Sequence, residues 1–260
     1  MGLLDGKKAL IFGVANDKSI AWVTAEILAA EGAEVALTYA GDAFESRVEP
    51  LAKQTGAKIV LPCDVTKDSE IKKVFQTVQE EWGGLDMLIH SVAFAKKEEL
   101  KNDFISTSRE GFNIALEVSA YSLIAIAREA LPLMEGRGDA SITTLTYLGA
   151  QRVVKNYNVM GVAKAALEAS VKYLAYDMGR YGIRVNALSA GPLRTLAAMG
   201  IPGFRDILNV VQRMAPLKRN INADDVAKSA LYLASPLSSG VTGETLYVDS
   251  GFHAIGIVEK

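Results

Sequence analysis

The sequence predicts an α/β fold: a doubly wound, Rossmann-like parallel sheet of about seven strands, with helices on both faces, forming a single domain over residues 1–260. Three observations carry this. The β-rich runs are short and apolar on both faces, as strands covered on both sides must be. Each is separated from the next by a helical pattern, which calls for parallel pairing through right-handed crossovers. No repeat, low-complexity tract or linker interrupts the alternation.

The first strand reads Ala9-Leu10-Ile11-Phe12-Gly13, followed by a helix from about Ser19 to Ala30. Strands at Glu34 to Tyr39 and Lys58 to Leu61 enclose a helix around Ala43–Gln54, and another helix spans Asp68–Trp82. The fourth strand is Asp86 to His90, and a long helical region covers about Ser108 to Met134. Ala140 to Thr146 forms the fifth strand, and a long helix runs from about Tyr157 to Tyr181. Arg184 to Leu188 is the sixth strand and Glu244 to Val248 the seventh, the latter preceded by a helix at Ala223 to Ala234. The irregular stretch from Gly191 to Asn222 mixes Gly191, Pro192, Gly200, Pro202, Gly203 and Pro216 with apolar residues. It reads as a helical insertion near a binding site, at about residues 192–215, and not as a second domain.

Composition narrows the function classes. Net charge is -2, with no long run of one sign, which argues against a nucleic-acid or anionic-membrane partner. The single cysteine, Cys63, excludes a disulfide framework within the chain, and two histidines are too few for a usual zinc site, so no metal is expected. No apolar run approaches the roughly 20 residues that span a bilayer. The first residues carry no signal-peptide core, and a cytoplasmic location is expected.

In such folds ligands bind at the carboxyl ends of the strands. The turn Gly13-Val14-Ala15-Asn16-Asp17-Lys18-Ser19-Ile20-Ala21 follows a strand and opens a helix, as a phosphate-binding turn does. It has one glycine where the dinucleotide fingerprint has three, so an ordinary loop with Ser19 as N-cap is the competing reading. Cys63-Asp64-Val65 ends strand three, where a carboxylate can meet an adenine amino group; a helix N-cap is the other reading for Asp64. His90-Ser91-Val92-Ala93 ends strand four, where small residues let backbone approach a cofactor. His90 itself reads better as a packed strand-end histidine, and Cys63 as inert packing.

The most specific signal is Tyr147-Leu148-Gly149-Ala150 followed by Asn156-Tyr157-Asn158-Val159-Met160-Gly161-Val162-Ala163-Lys164. With Ser19-Ile20-Ala21, Ser189-Ala190-Gly191-Pro192-Leu193-Arg194-Thr195-Leu196-Ala197 and Val241-Thr242-Gly243-Glu244, it closely resembles bacterial enoyl-[acyl-carrier-protein] reductases of the short-chain dehydrogenase/reductase superfamily, over nearly the whole chain. Ordinary members of that superfamily carry Tyr-x3-Lys with an upstream serine. Here Met160 stands at that tyrosine's position, Tyr147 at the serine's, and the tyrosine moves to Tyr157.

The shift has a chemical reading. Hydride goes to C3 of an enoyl thioester while negative charge builds on the thioester oxygen at C1, two carbons from the acceptor. Moving the tyrosine three residues along a helix displaces it by about 4.5 Å. By the resemblance, Tyr157 stabilises the enolate oxygen and Lys164 binds the nicotinamide ribose; Tyr147 is counted with the catalytic set, orienting the substrate or walling the pocket. The cofactor contacts it implies are Gly13, Ala15, Ser19, Ile20, Asp64 and Val65, then Ser91, Ala93, Lys164, Gly191, Pro192, Leu193 and Thr195. The substrate contacts are Phe94, Tyr147, Tyr157, Met160, Ala197, Met199, Ile201 and Phe204. The alternative within enzymes is a carbonyl or alcohol oxidoreductase of the same superfamily, which Met160 disfavours.

NADH is expected over NADPH. The second strand ends at Thr38-Tyr39-Ala40-Gly41-Asp42, where a ribose 2′-phosphate would want a cation, and no Lys or Arg lies between Lys18 and Arg47. Asp42 would repel a phosphate unless a helix-cap role turns it away. An acidic acyl carrier protein is the expected partner, docking on Arg194, Arg205, Arg213, Lys218 and Arg219. A homotetramer follows from the resemblance, with the apolar run Phe252 to Val258 suited to a subunit contact. The stretch Leu193 to Met214 is expected to act as a mobile flap over the acyl chain, hinged at Gly200, Pro202 and Gly203.

Overall fold

The computed structural model describes residues 2–196 and 198–256. Seven strands form one parallel sheet in the order β3-β2-β1-β4-β5-β6-β7. They are β1 (Lys8–Phe12), β2 (Glu34–Tyr39), β3 (Ile59–Pro62), β4 (Met87–His90), β5 (Ala140–Thr146), β6 (Ile183–Ala190) and β7 (Thr245–Val248). The chain winds outward from β1 to β3, returns to β4 beside β1, and continues to β7. This reversal leaves a crevice between the carboxyl ends of β1 and β4, the switch point at which such sheets take ligands. The predicted doubly wound sheet is the one found.

On one face lie α1 (Ile20–Ala30), α2 (Glu45–Thr55) and α9 (Ala223–Ala234), packing Ala25, Leu28, Val48 and Leu233 against Ile11, Leu37 and Ile89. On the other lie α3 (Asp68–Trp82), α6 (Ser122–Met134) and α7 (Asn158–Gly179), which bury Val74, Ile126 and Leu167 against Leu10, Leu88 and Val185. Alternate residues of one strand thus feed two separate cores, as the period of two requires. Local signals set several boundaries. Gly56 and Gly83 end α2 and α3 in the left-handed conformation. Asn222 and Asp225 form a reciprocal capping box at α9.

Two elements depart from expectation. The long helix of Ser108 to Met134 is α5 (Arg109–Leu116) and α6 separated by a π turn at Glu117–Tyr121. The wider turn buries Ser119 between the Phe94 backbone and the Met160 sulfur, which a regular helix register would not place there. A short α4 (Lys97–Lys101) follows β4, in a stretch with no helix expected. The stretch after β6 contains a 3-10 turn at Ala198–Gly200 and α8 at Phe204–Met214.

The amino ends of the strands carry charge. Asp86, buried just before β4, accepts both Arg137 Nε (3.1 Å) and Nη2 (2.9 Å), the Lys8 amide (2.9 Å) and, more distantly, Lys7 Nζ (3.5 Å). Arg184 in β6 donates to Asp139, to the Leu233 and Ser235 carbonyls and to Ser238 Oγ. No helix among the described residues is long and apolar enough to cross a membrane.

Candidate active site

The carboxyl ends of β4, β5 and β6 open into a cavity of about 600 Å³, walled mostly by apolar side chains. Of the expected substrate contacts, Phe94, Tyr147, Tyr157, Met160, Ile201 and Phe204 line it. Met199 does not: the Thr195 carbonyl and hydroxyl accept from the Met199 and Ala198 amides, and that 3-10 turn leaves Met199 56% exposed. Ala197 lies outside the described residues. Ile20, Ala93, Gly191, Pro192, Leu193 and Thr195, expected at the cofactor, share the same cavity.

Tyr157 is fixed from both sides. Asn156 and Asn158 both have positive φ, 65° and 40°, a region that asparagine tolerates better than most residues. Asn156 Nδ2 donates to the Pro202 carbonyl at 2.7 Å, and Asn158 Nδ2 to the Asn102 carbonyl at 2.7 Å. The loop bearing the tyrosine is thereby tied to the insertion on one side and to α4 on the other. Gly149 leaves room for the ring, since a Cβ there would strike Tyr157 Cδ1. Tyr147 meets Tyr157 edge to face, with ring centroids 4.9 Å apart and planes at 71°. Burial pushes the Tyr147 hydroxyl up to about 12 and raises that of Tyr157 further, so both rings keep their protons and serve as hydrogen-bond donors.

Lys164 lies one helical face along α7, buried, with its Nζ donating to the Leu145 carbonyl at 2.7 Å. Burial lowers its ammonium to about 8, against the opposing pull of the Glu168 carboxylate. It remains a cation at neutral pH. Met160 packs in the small cluster with Tyr157 and Leu100, its sulfur accepting weakly from Ser119 Oγ at 3.8 Å.

The remaining expected cofactor contacts line the strand ends outside this cavity. Gly13 has φ of 94°, and a Cβ on it would collide with the Ser91 carbonyl, so β1 and β4 close here only around a glycine. Ser19 occupies the N-cap position of α1 but does not cap it; its Oγ donates to the Asn16 carbonyl at 2.7 Å and lies 3.5 Å from the Ala15 amide, stapling the turn. Among the described residues the first amides of α1 therefore have no side-chain partner, the arrangement that receives an anionic phosphate. Asp64 does not cap α3, whose N-cap is Lys67; its Oδ1 accepts from the Thr66 amide and hydroxyl in a local turn. Val65 is buried beside it. From β3 through β1 and β4 to the cavity, these residues follow one line across the sheet, as an extended dinucleotide requires.

His90 is packing. It is fully buried between Thr144 Oγ1 (2.8 Å) and Ser122 Oγ (2.9 Å), and burial drives it down to about 3, so it stays neutral. Cys63 is buried with its thiol pushed up to about 12, far from thiolate reactivity. Asp42 opens a 3-10 turn with Gly41 at its N-cap, so the cap role is not what holds it. Among the expected docking cations, Arg194, Arg205 and Arg213 are exposed, Lys218 donates to the Arg213 carbonyl, and Arg219 pairs with Asp225 at 2.6 Å. Sequence reasoning missed Ser119, Leu100, Val154 and the two anchoring asparagines. The Asn-Tyr-Asn run, with its tolerance of left-handed backbone, was the signal available for the last pair.

Known proteins match this geometry. The family model described as enoyl-(acyl carrier protein) reductase matches residues 13–253. The chain is 54% identical over 256 residues to the enoyl-[acyl-carrier-protein] reductase [NADH] 1 of Rhizobium meliloti, covering 98% of this chain and 93% of that one. A crystal structure of the Anaplasma phagocytophilum reductase in complex with NAD superposes with a TM-score of 0.95 at 52% identity, covering 100% of this chain and 98% of that one. The Bacillus cereus reductase, crystallised with NADP+ and an indole naphthyridinone, gives a TM-score of 0.95 at 51% identity, covering 99% of this chain and 100% of that one.

Proposed function

The chain belongs to the enoyl-[acyl-carrier-protein] reductase family of NADH-dependent oxidoreductases, and from that premise we propose how its own residues reduce the C2–C3 double bond of a trans-2-enoyl thioester in fatty-acid elongation. When bound, the reduced nicotinamide supplies the hydride that C3 receives. Gly13, Ala15, Ser19 and Ile20 would hold the cofactor's phosphates, Asp64 and Val65 its adenine, and Ser91, Ala93, Gly191, Pro192, Leu193 and Thr195 its nicotinamide half. Lys164 binds the nicotinamide ribose through its ammonium.

Tyr157 donates to the thioester oxygen as charge builds there, an oxyanion-type role worth about 3 kcal/mol for one donor. Its raised pKa suits the task, since the ring stays protonated until the enolate forms. Tyr147 orients it through the edge-to-face contact. Met160 fills the ketone-reductase tyrosine's place with an apolar, non-donating side chain, so no proton is offered beside C3. The single observation carrying this reading is the convergence of Tyr147, Tyr157 and Met160 on one apolar cavity beside buried Lys164.

NADH over NADPH is favoured by the field at the end of β2. Asp42, Glu45 and Glu49 all act on Tyr39, and such a cluster repels a 2′-phosphate. The segment Leu193 to Met214 closes over the acyl chain as a flap within the one domain, with Leu196, Phe204 and Ile207 facing the cavity and Gly203 at φ of 74° as a hinge. Exposed Arg194, Arg205 and Arg213 receive the acidic carrier protein. A cytoplasmic homotetramer completes the proposal, and sedimentation equilibrium reads the assembly. The deciding experiment follows NADH and NADPH absorbance with crotonyl and acetoacetyl thioesters. Oxidation of NADH by crotonyl thioester alone is expected; reduction of the acetoacetyl thioester alone would make the chain a ketone reductase.

A further inference from the structure

Glu168 has no part in the mechanism above, yet it is a buried carboxylate one helical turn beyond Lys164 on α7. Both its oxygens are engaged: Oε1 accepts from Thr146 Oγ1 at 2.8 Å and Oε2 from Gln151 Nε2 at 3.2 Å. Two donors on two oxygens fit an ionised carboxylate. Thr146 is the last residue of β5 and precedes Tyr147; Leu145, which accepts from Lys164, precedes Thr146. Lys164 and Glu168 therefore grip successive residues of the same strand end without forming a direct ion pair.

We propose that Glu168 is a positioning residue: the buried counter-charge of Lys164, locked by Thr146 and Gln151, which also fixes the strand end from which Tyr147 projects. A buried lysine without a compensating charge sheds its proton readily. Among the described residues, Glu168 is the one side chain whose charge acts appreciably to keep this ammonium protonated. The other ionisable groups on the surrounding elements do not replace it. His90 of β4 is neutral. Tyr147 and Tyr157 hold their protons. Tyr247 of β7 feels Glu168 as well, together with Asp249, Arg152 and Glu244. Asp249 is occupied by the Gly251 and His253 amides and the His253 ring. On α4, Glu99 is bound to Ser108, Glu117 of the π turn is exposed, and Arg128 of α6 faces Tyr121.

This inference rests on Lys164 binding the cofactor, and its test separates the two. Lysine labelled with 13C at Cε reports the Lys164 titration in the cofactor-free protein, and NADH fluorescence gives the dissociation constant at each pH. In Glu168→Gln the Lys164 midpoint should fall by about one unit, a tenfold loss of the ammonium form well above the midpoint, and NADH affinity should fall at correspondingly lower pH. Glu168→Asp, which draws the charge back from Thr146 and Gln151, should shift the midpoint the same way by less, and it carries the test should the glutamine variant not fold. An unmoved midpoint, or NADH affinity reduced equally at every pH, overturns the role of Glu168. A midpoint that moves while NADH affinity ignores it leaves Glu168 paired with Lys164 and removes Lys164 from the cofactor site.

Discussion

The two ends of the sheet solve opposite problems. At the amino ends, buried charge is fully answered: Asp86 takes Arg137 in a two-point grip plus the Lys8 amide, and Arg184 finds Asp139, two carbonyls and Ser238. At the carboxyl ends, polar groups point into an apolar cavity with capacity left over. Among the described residues the Tyr147 and Tyr157 hydroxyls have no hydrogen-bond partner, and Lys164 spends one of its three donors on a carbonyl. One end is closed chemistry and holds the sheet; the other is open chemistry, with donors to spare. Substitutions at the two ends should therefore separate stability from turnover.

The sharpest separation comes from Tyr157→Phe. It removes one hydroxyl from the open end, and kcat with crotonyl thioester should fall by about 10²–10³-fold while NADH affinity and Tm stay put. A comparable loss of Tm would mean that the tyrosine is structural. Asp86→Ala tests the closed end. It strands Arg137, whose side chain is 34% exposed and so partly resolvated, and the cost should be about 2 kcal/mol of unfolding free energy in urea, with kcat unchanged in the folded fraction. An altered kcat at full stability would erase the division between the ends.

Lys164 tests the open end by pH. Its folded-state value is lowered to about 8, so the ammonium is present below that pH and lost above it. NADH affinity of the free enzyme should be level on the acid side and weaken as pH rises through about 8, by up to tenfold per unit if the ammonium is indispensable. Affinity flat to pH 9.5 would show that the charge contributes nothing. The smallest effect belongs to Asn156→Gly, which keeps the positive φ and removes only the amide bound to Pro202. About 1 kcal/mol should be lost, read as roughly fivefold faster hydrogen exchange over residues 199–208. Unchanged exchange would detach the Tyr157 loop from the insertion.

What the sequence made legible follows the same divide. Strands such as Ala140 to Thr146 declare themselves because both faces are buried, and Lys164 lies on the long helix expected for it. Tyr157, expected on that helix, precedes it on a loop whose flanking Asn156 and Asn158 have positive φ, so helical spacing alone does not set the pair's geometry. The π turn at Glu117–Tyr121 did not show, since the wider turn scarcely disturbs a hydrophobic pattern, and the Ser119 contacts with Phe94 and Met160 that accompany it join residues distant in the sequence. Met199 was counted with the pocket because it is apolar; backbone bonds to Thr195 turn it outward. Glu168 carried no signal in the sequence, because its hydrogen bonds depend on Thr146 and Gln151 arriving from another part of the chain.

The two asparagines beside Tyr157 have a kinetic consequence. The segment around Pro202 cannot swing away without first surrendering the Asn156 amide, so that bond works as a latch in series with any opening. A latch of about 1 kcal/mol slows release roughly fivefold when the transition state for opening has already broken it. Because the latch is anchored one residue from the hydroxyl proposed to act on the thioester, the proposed flap's opening rate and the aim of that hydroxyl would be set by the same short stretch of backbone.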